Sequence, residues 1–506
     1  MLPKHALALA LLLFLGLFAQ LGRSPLGHEE PRRALIALEI LYGHQGLQPT
    51  VHGEPYYRKP PLYNLLIAAC YKFTGSTHAW ATRLPSVLSF LALALCIYFF
   101  CRHYLATQTS ALAAILFLSC ADLLLYYSRL AEMDLFYALI SFPVLVLPWH
   151  YLQQQKTWAF YLVPAFFAGL GFMAKGFPSI ALYGISVATA IMLHRRPHLL
   201  LSFKWLPAIV LFSIPLCVYF YPQYASGTFA NSLQVLFSES ANRTIKSGLG
   251  PRLWHLLWFP LDTVKGLLPI SLALIGFRKK FLGNPLVRAA FWLFLANYLL
   301  YLISPGARLR YVYMLFPLIC MAASYVLWQA RPTHLVWAHR VLRHLACTMV
   351  ALLGALLVFF AQPYPFAIAA MPVAAFLIWG LRVPQPISIA SLALVCLLLG
   401  RIGFDHAAAQ PQVAMRDRAY LEAISARQLH QLLGHRPLYI NTRAERFFTF
   451  SHEYTRLSHR VIPYGFDFQD PNGVYLVPKG HGPKGSSPLA NFDIGPEKGF
   501  ELIELP

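Results

Sequence analysis

The run Leu84-Pro85-Ser86-Val87-Leu88-Ser89-Phe90-Leu91-Ala92-Leu93-Ala94-Leu95-Cys96-Ile97-Tyr98-Phe99-Phe100-Cys101, closed by Arg102 and His103, decides the class of fold. Up to Arg102 it carries no charge, and a helix of about 20 apolar residues crosses the roughly 30 Å of hydrocarbon in a bilayer. A helix apolar on every side has no stripe to offer water, so lipid or a large interior must surround it. Similar windows recur near residues 5–21, 109–127, 134–152, 157–174, 177–194, 205–221, 254–277, 286–304, 311–329, 341–361, 365–381 and 386–403. With 84–103 they make thirteen spans, which puts the two chain ends on opposite sides. The 506 residues are 58% hydrophobic and 12% charged, about half the charged share of a soluble domain. The reading is an all-α polytopic membrane protein, with residues 1–403 as membrane domain and 404–506 as a soluble tail.

Charge is distributed unevenly over these two parts. The net formal charge is +21, yet residues 404–506 hold 11 basic and 11 acidic side chains, so the membrane part carries 30 basic against 9 acidic. Basic loops between apolar helices fit anionic lipid and the positive-inside rule, and nucleic acid is excluded as a partner. With the first span running outward, the inner loops and Lys4 hold 14 basic residues; the opposite side, without its long first loop, holds nine. All nine acids of the membrane part (Glu29, Glu30, Glu39, Glu54, Asp122, Glu132, Asp134, Glu239 and Asp262) then fall on or near the exported face. Carboxylates near hydrocarbon are costly and mark paired or functional sites, so chemistry is expected on that face.

Seven of the eight cysteines lie in or beside apolar runs, Cys70 lies in an amphipathic stretch, and the tail has none, a pattern of neither a disulfide framework nor a zinc knuckle. The first apolar run ends without a small-x-small cleavage signal, so a retained signal anchor is expected, and a cleaved signal peptide would export the same loop.

That first exported loop, residues 22–83, is too long to be a connector. The stretch 29–41 has the apolar spacing of a short interfacial helix, with Pro31 near its start and Glu29 and Glu30 at its positive end. A turn through Gly53-Glu54-Pro55 leads to Tyr56-Tyr57-Arg58-Lys59-Pro60-Pro61-Leu62-Tyr63 and a second amphipathic segment to about Phe73. Residues 222–253 form a second exported loop, in which aromatics mix with Glu239, Arg243 and Lys246 as in a lid over a headgroup. The tail reads as a small α/β domain with a helix over 417–433 and β-like runs at 437–440 and 473–477, ending in a flexible Gly/Pro/Ser stretch over 478–488.

Several pieces, taken in order, resemble the GT-C class of polyprenyl-phosphate-sugar-dependent glycosyltransferases, and within it the bacterial lipid A aminoarabinose transferases and protein O-mannosyltransferase-like enzymes. They are Glu29-Glu30-Pro31-Arg32, Gly53-Glu54-Pro55-Tyr56 with Lys59-Pro60-Pro61-Leu62-Tyr63, Trp80-Ala81-Thr82-Arg83-Leu84-Pro85-Ser86, Glu132-Met133-Asp134, the run from Gly169 to Gly176, and Arg308-Leu309-Arg310-Tyr311. The resemblance spans most of residues 25–330. It implies a GT-C-like fold of about thirteen transmembrane helices with a C-terminal exported domain, in the bacterial inner membrane.

The resemblance also implies roles. The acidic pair of the first loop, here Glu29-Glu30, supplies the catalytic carboxylate, and Asp134 matches a second acid at the outer end of the fourth span. Lys59, Lys175, Arg243 and Tyr311 match positions that hold the carrier phosphate. Positions that hold zinc in aminoarabinose transferases carry Arg58 and Ser240 here, a departure from that pattern. Implied partners are a polyprenyl-phosphate sugar donor, a lipid or glycan acceptor such as lipid A, and membrane lipids.

The residues themselves permit this chemistry. A breaking anomeric C–O bond places growing negative charge on the departing phosphate, which fixed cations stabilise. Lys59, Lys175, Arg243, Arg308 and Arg310 are exported cations in an otherwise apolar chain, with Arg58 beside them, and arginine suits bidentate phosphate contact. Glu29 is the first choice of base, with Asp134 positioning the acceptor, sharing that role or holding a divalent cation. No other cofactor is indicated. Each assignment has a bland rival: helix capping for the acids, snorkelling or interfacial anchoring for the cations, and belt aromatics for Tyr56, Tyr57 and Tyr63. Two other classes compete with an enzyme. A transporter or flippase of an isoprenoid-linked or anionic lipid predicts mid-span charge or broken helices in matching halves, and a scaffold predicts no one-sided concentration of acids.

Overall fold

The computed structural model describes residues 3–43, 48–241, 248–360, 364–408, 410, 417–441 and 447–505. Two compact units divide the chain. The membrane unit takes Met1–Ala19, Arg58–Pro60 and Ser86–His406; the loop–tail unit takes Gln20–Tyr57, Pro61–Pro85 and Ala407–Pro506. The last break follows His406, three residues beyond the 403/404 boundary expected from composition, and most of the first loop groups with the tail and not with the spans.

In chain order the helices are α1 (Pro3–Phe18), α2 (Glu30–Tyr42), α3 (Leu62–Thr74), α4 (Ala79–Cys101), α5 (Thr107–Leu118), α6 (Ala121–Leu125), α7 (Met133–Gln153), α8 (Thr157–Lys175), α9 (Pro178–His194), α10 (Trp205–Ala225), α11 (Phe229–Ala241), α12 (Leu249–Gly266), α13 (Ile270–Ala273), α14 (Pro285–Leu302), α15 (Phe316–Trp328), α16 (Pro332–Phe359), α17 (Pro365–Gly380), α18 (Pro386–Ala408), α19 (Arg418–Leu433) and α20 (Phe448–Ser458). Among the described residues eight helices are long and apolar enough to cross a membrane, or nine if α5 and the 121–129 piece, bent by 55°, form one span. Three further apolar helices, in α1, α9 and α17, are shorter. Twelve of the thirteen expected windows therefore hold an apolar helix or bent pair.

The window near 254–277 does not form one straight span. Helix α12 stops at Gly266, and short turns follow through α13. Asp262, Lys265 and two prolines, Pro260 and Pro269, crowd that window, and charges and missing amide donors both favour a break. The break is tied to the bend after α5, where the Ala121 amide donates to the Leu268 carbonyl at 2.8 Å. Backbone groups left over by two helix ends thus satisfy each other, as an apolar surrounding demands. Helix α7, buried along most of its length, packs on α8 and α9 and is the centre of this unit.

In the loop–tail unit, both amphipathic helices of the first loop form. Helix α2 spends its apolar face on α3 and α20, so residues Ala34 to Glu39 are all buried, whereas α3 leaves Phe73 exposed. Between them strands β1 (Thr50–Val51) and β2 (Glu54–Pro55) make a hairpin. Its two-residue turn, His52 and Gly53 at φ 55° and 77°, has the left-handed backbone that tight hairpin turns require. The buried Glu39 carboxylate accepts from Thr50 Oγ1 (2.7 Å) and from the His52 (2.7 Å) and Gly53 (3.2 Å) amides, fixing the hairpin on α2.

The tail is an α/β fold, with α19 and α20 packed on a four-stranded sheet of order β3-β4-β6-β5, where β3 is Leu438–Ile440, β4 Val474–Pro478, β5 Ser487–Ile494 and β6 Glu497–Glu504. Strands β3 and β4 are parallel and the other pairs antiparallel. Leu429, Ile440, Phe450, Val474, Leu476 and Leu502 lie in its core. The Gly/Pro/Ser stretch is a correction to the sequence reading: it is a connection between strands, since Ser487 and Pro488 already pair with β6.

Candidate active site

Asp134 lies in the first turn of α7 and Lys175 is the last residue of α8. A helix start favours a carboxylate and a helix end a cation, so each charge sits where the backbone dipoles stabilise it. Lys175 Nζ donates to Asp134 Oδ1 at 2.6 Å, and the two side chains are only 8% and 3% exposed. Gly176, at φ 79° and ψ −144°, turns the chain sharply behind the lysine, a backbone that a side chain would strain. The ammonium also lies 4.7 Å from the Tyr137 ring and 5.0 Å from the Tyr311 ring. Tyr137 follows Asp134 by three residues and so shares its helix face. Its hydroxyl accepts from Ser179 Oγ at 3.2 Å.

The 3-10 segment Leu309–Leu315 completes this cluster. Arg310 Nη1 donates to Glu132 Oε1 at 3.3 Å, with Glu132 directly before α7 and buried. Tyr311 lies beside both cations, its ring 5.8 Å from the Arg310 guanidinium carbon. Tyr313 donates to Asp122 at the start of α6. Three carboxylates, two cations and three tyrosines from four stretches of chain thus gather at one end of the membrane unit.

The remaining predicted residues of this unit are placed as follows. Arg308, just before the 3-10 segment, is exposed. Lys59 is half-buried, and Arg58 comes within 3.9 Å of Glu239 on α11. Arg243 and Lys246 lie outside the described residues.

In the loop–tail unit the two adjacent glutamates have different surroundings. Glu30 is buried, and Arg83 Nε and Nη2 donate to its two oxygens at 2.8 and 2.9 Å, while the Gly27 amide donates at 3.1 Å. Arg83 also donates to the carbonyls of Leu21 (2.8 Å), Ser24 (3.0 Å) and Pro25 (3.0 Å), so one guanidinium holds the whole turn before α2. The Glu30 carboxylate is thus held by Arg83 and the Gly27 amide at the turn before α2. Glu29 is half-exposed and accepts from Arg32, whose guanidinium carbon lies 5.9 Å from the Tyr56 ring and 5.6 Å from the Phe448 ring.

Helix α20 brings further titratable groups to this unit. Burial pushes the His452 imidazole down to about 4. Burial opposes charge on Glu453 as well, but Arg456 outweighs it and holds that carboxyl at about 2. His52 is also pushed down by burial to about 4, against the raising effect of its bond to the Ile462 carbonyl.

Among the described residues no group of three or more His, Cys, Asp or Glu stands ready to hold a metal ion. The divalent-cation role suggested for Asp134 meets an ammonium already on its carboxylate. Arg58 offers N–H donors only and no lone pair, so the donor set does not fit zinc at that position.

Sequence reasoning passed over Arg83, Glu132 and Tyr137. Arg83 lies in the Trp80–Ser86 motif and Glu132 is one of the nine acids of the membrane part, but their partners lie 53 and 178 residues away. For Tyr137 the i, i+3 relation to Asp134 was the available signal.

Residues 58–221 match the family described as dolichyl-phosphate-mannose-protein mannosyltransferase. That segment contains Lys59, Asp134 and Lys175. Among curated proteins none matches the chain in sequence. The crystal structure of ArnT from Cupriavidus metallidurans bound to undecaprenyl phosphate is similar at TM-score 0.70 and 16% identity, over 98% of this chain and 97% of that one. The same protein in its apo state is similar at TM-score 0.67 and 17% identity, with the same coverage. This likeness establishes the fold over nearly the full length of both chains. With the family match it supports a multi-pass membrane glycosyltransferase that resembles the GT-C class.

Proposed function

We propose that this chain moves one sugar from an undecaprenyl-phosphate-type donor to a lipid A, lipopolysaccharide or other envelope acceptor on the exported face of a bacterial inner membrane. The observation that carries the reading is the buried Asp134–Lys175 pair, flanked by Tyr137 and Tyr311 at one end of an apolar helical unit. Such a unit accommodates a polyprenyl tail in hydrocarbon while the charged end meets a phosphate. Likeness to a fold that binds undecaprenyl phosphate in ArnT supports the donor class.

In this reaction the acceptor oxygen forms a bond to the anomeric carbon as the carbon–oxygen bond to phosphate breaks, its electron pair leaving with the phosphate. Attack from the opposite face gives inversion. Glu29 takes the proton of the acceptor hydroxyl, and Asp134 positions the acceptor. Lys59, Lys175, Arg243, Arg308, Arg310, Tyr311 and Arg58 supply the cations and donors for the carrier phosphate, and residues 222–253 act as a lid. Removing one preorganised charge contact from such a centre costs about 2.7–4 kcal/mol.

The test is transfer from a polyprenyl-phosphate-linked sugar by purified Glu29→Gln, beside binding of undecaprenyl phosphate to the same variant. Loss of transfer by about 10²–10⁴-fold with intact binding supports the reading, and unchanged transfer removes Glu29 from it. Mass spectrometry of envelope lipids with and without the protein identifies sugar and acceptor.

A further inference from the structure

Residues 407–506 contribute no group to the proposed chemistry, yet they hold the loop that carries Glu29 at several points. Thr449 Oγ1, buried in the first turn of α20, donates to the Leu26 carbonyl at 3.1 Å, three residues before Glu29. The neighbouring Phe448 places its ring 5.6 Å from the guanidinium carbon of Arg32, the residue that pairs with Glu29. Farther along, the Tyr42 hydroxyl meets His459 Nδ1 at 2.9 Å, and His52 Nδ1 lies 2.9 Å from the Ile462 carbonyl. Both ends of α2 and the hairpin behind it are therefore tied to the tail.

We propose that Phe448 and Thr449 are positioning residues for the Glu29 carboxylate, so that the tail takes part in the transfer step and is not a separate binding module. The inference rests on the reading of Glu29 as the base. Arg83 already fixes the carbonyls of Leu21, Ser24 and Pro25, and Thr449 adds Leu26 to that set. Phe448 and Tyr56 give Arg32 two aromatic faces, which favour a guanidinium and limit its excursions. A displacement of about 1 Å at a reacting group costs on the order of 10²-fold in rate, so loosening either tether lowers turnover without removing any group that touches the donor.

The experiment uses the full-length chain in detergent or nanodiscs with a polyprenyl-phosphate-linked sugar. Thr449→Val keeps the shape and deletes the hydrogen bond, and Phe448→Leu deletes the ring. Each lowers kcat by about 10–100-fold with the donor KM within about twofold, and Thr449→Ser and Phe448→Tyr restore it. Unchanged kcat, a rise in KM that accounts for the whole loss, or failure of the conservative variants to rescue overturns the proposal. Should Thr449→Val not fold, the Phe448 pair decides by the same criteria. Glu29→Gln, assayed alongside, separates the two layers: an active Glu29→Gln removes the base reading, whereas an inactive one beside fully active Thr449→Val and Phe448→Leu removes only the positioning role.

Discussion

Two buried ion pairs, Glu30–Arg83 and Asp134–Lys175, are alike in burial and length and opposite in design. In the loop–tail unit the cation is a planar guanidinium, with each of its nitrogens committed to Glu30 or to carbonyls of one turn. In the membrane unit it is an ammonium at a helix end, between two tyrosine rings. A fork of fixed donors suits a clamp, while a compact charge on a flexible stem can redirect toward an arriving anion. The comparison teaches that two carboxylates equally buried and paired differ in what else surrounds the cation, backbone carbonyls in one case and aromatic rings in the other.

The largest expected effect breaks the clamp. Arg83→Met leaves Glu30 buried without its partner and costs about 3–5 kcal/mol of stability, seen as a lowered Tm of the purified protein. Lys175→Met tests the opposite design: transfer falls by on the order of 10²–10³-fold, and binding of undecaprenyl phosphate weakens with it. If Arg83→Met proves neutral for stability, or Lys175→Met leaves transfer intact, the contrast between the two pairs is lost.

Acid sharpens the comparison within the loop–tail unit. The folded values of His52 and His452 lie at about 4, below the ordinary 6.5, because burial disfavours their charged forms. The unfolded chain therefore binds these protons first. Stability is fully present above about pH 6.5 and is lost as pH falls toward 4. Glu453, held at about 2, adds a second loss between pH 4.5 and 2. Hydrogen exchange over residues 448–464 is expected to rise between pH 7 and 4.5, and His452→Asn, which removes one titrating site facing Glu453, Arg456, Glu30 and His78, flattens that dependence. The smallest effect belongs to the exposed Arg58–Glu239 contact at 3.9 Å. Glu239→Gln is expected to change stability by under about 1 kcal/mol, measured as an unchanged Tm.

Local order was legible where the signal is local. Apolar windows placed helices in the membrane unit because a span must satisfy its own backbone bonds and cover itself with apolar side chains, and both requirements are written residue by residue. The window near 254–277 misled because its mean hydropathy hides Asp262, Lys265 and two prolines. Strands β5 and β6 went unread because β5 is largely exposed and β6 mixes charged with apolar residues, so neither shows a clean alternation of period two.

The sequence by itself determined that this is a helical membrane protein with a small α/β tail, and it exposed the acids and cations of the membrane part, because desolvating a charge is costly enough to make each one conspicuous in an apolar chain. Only the tertiary structure decided which charge meets which. Asp134 finds Lys175 across 41 residues, Glu30 finds Arg83 across 53, and Asp122 finds Tyr313 across 191. An ion pair depends on separation in space, which falls off within a few ångströms, and nothing in residue order fixes that distance until the helices pack.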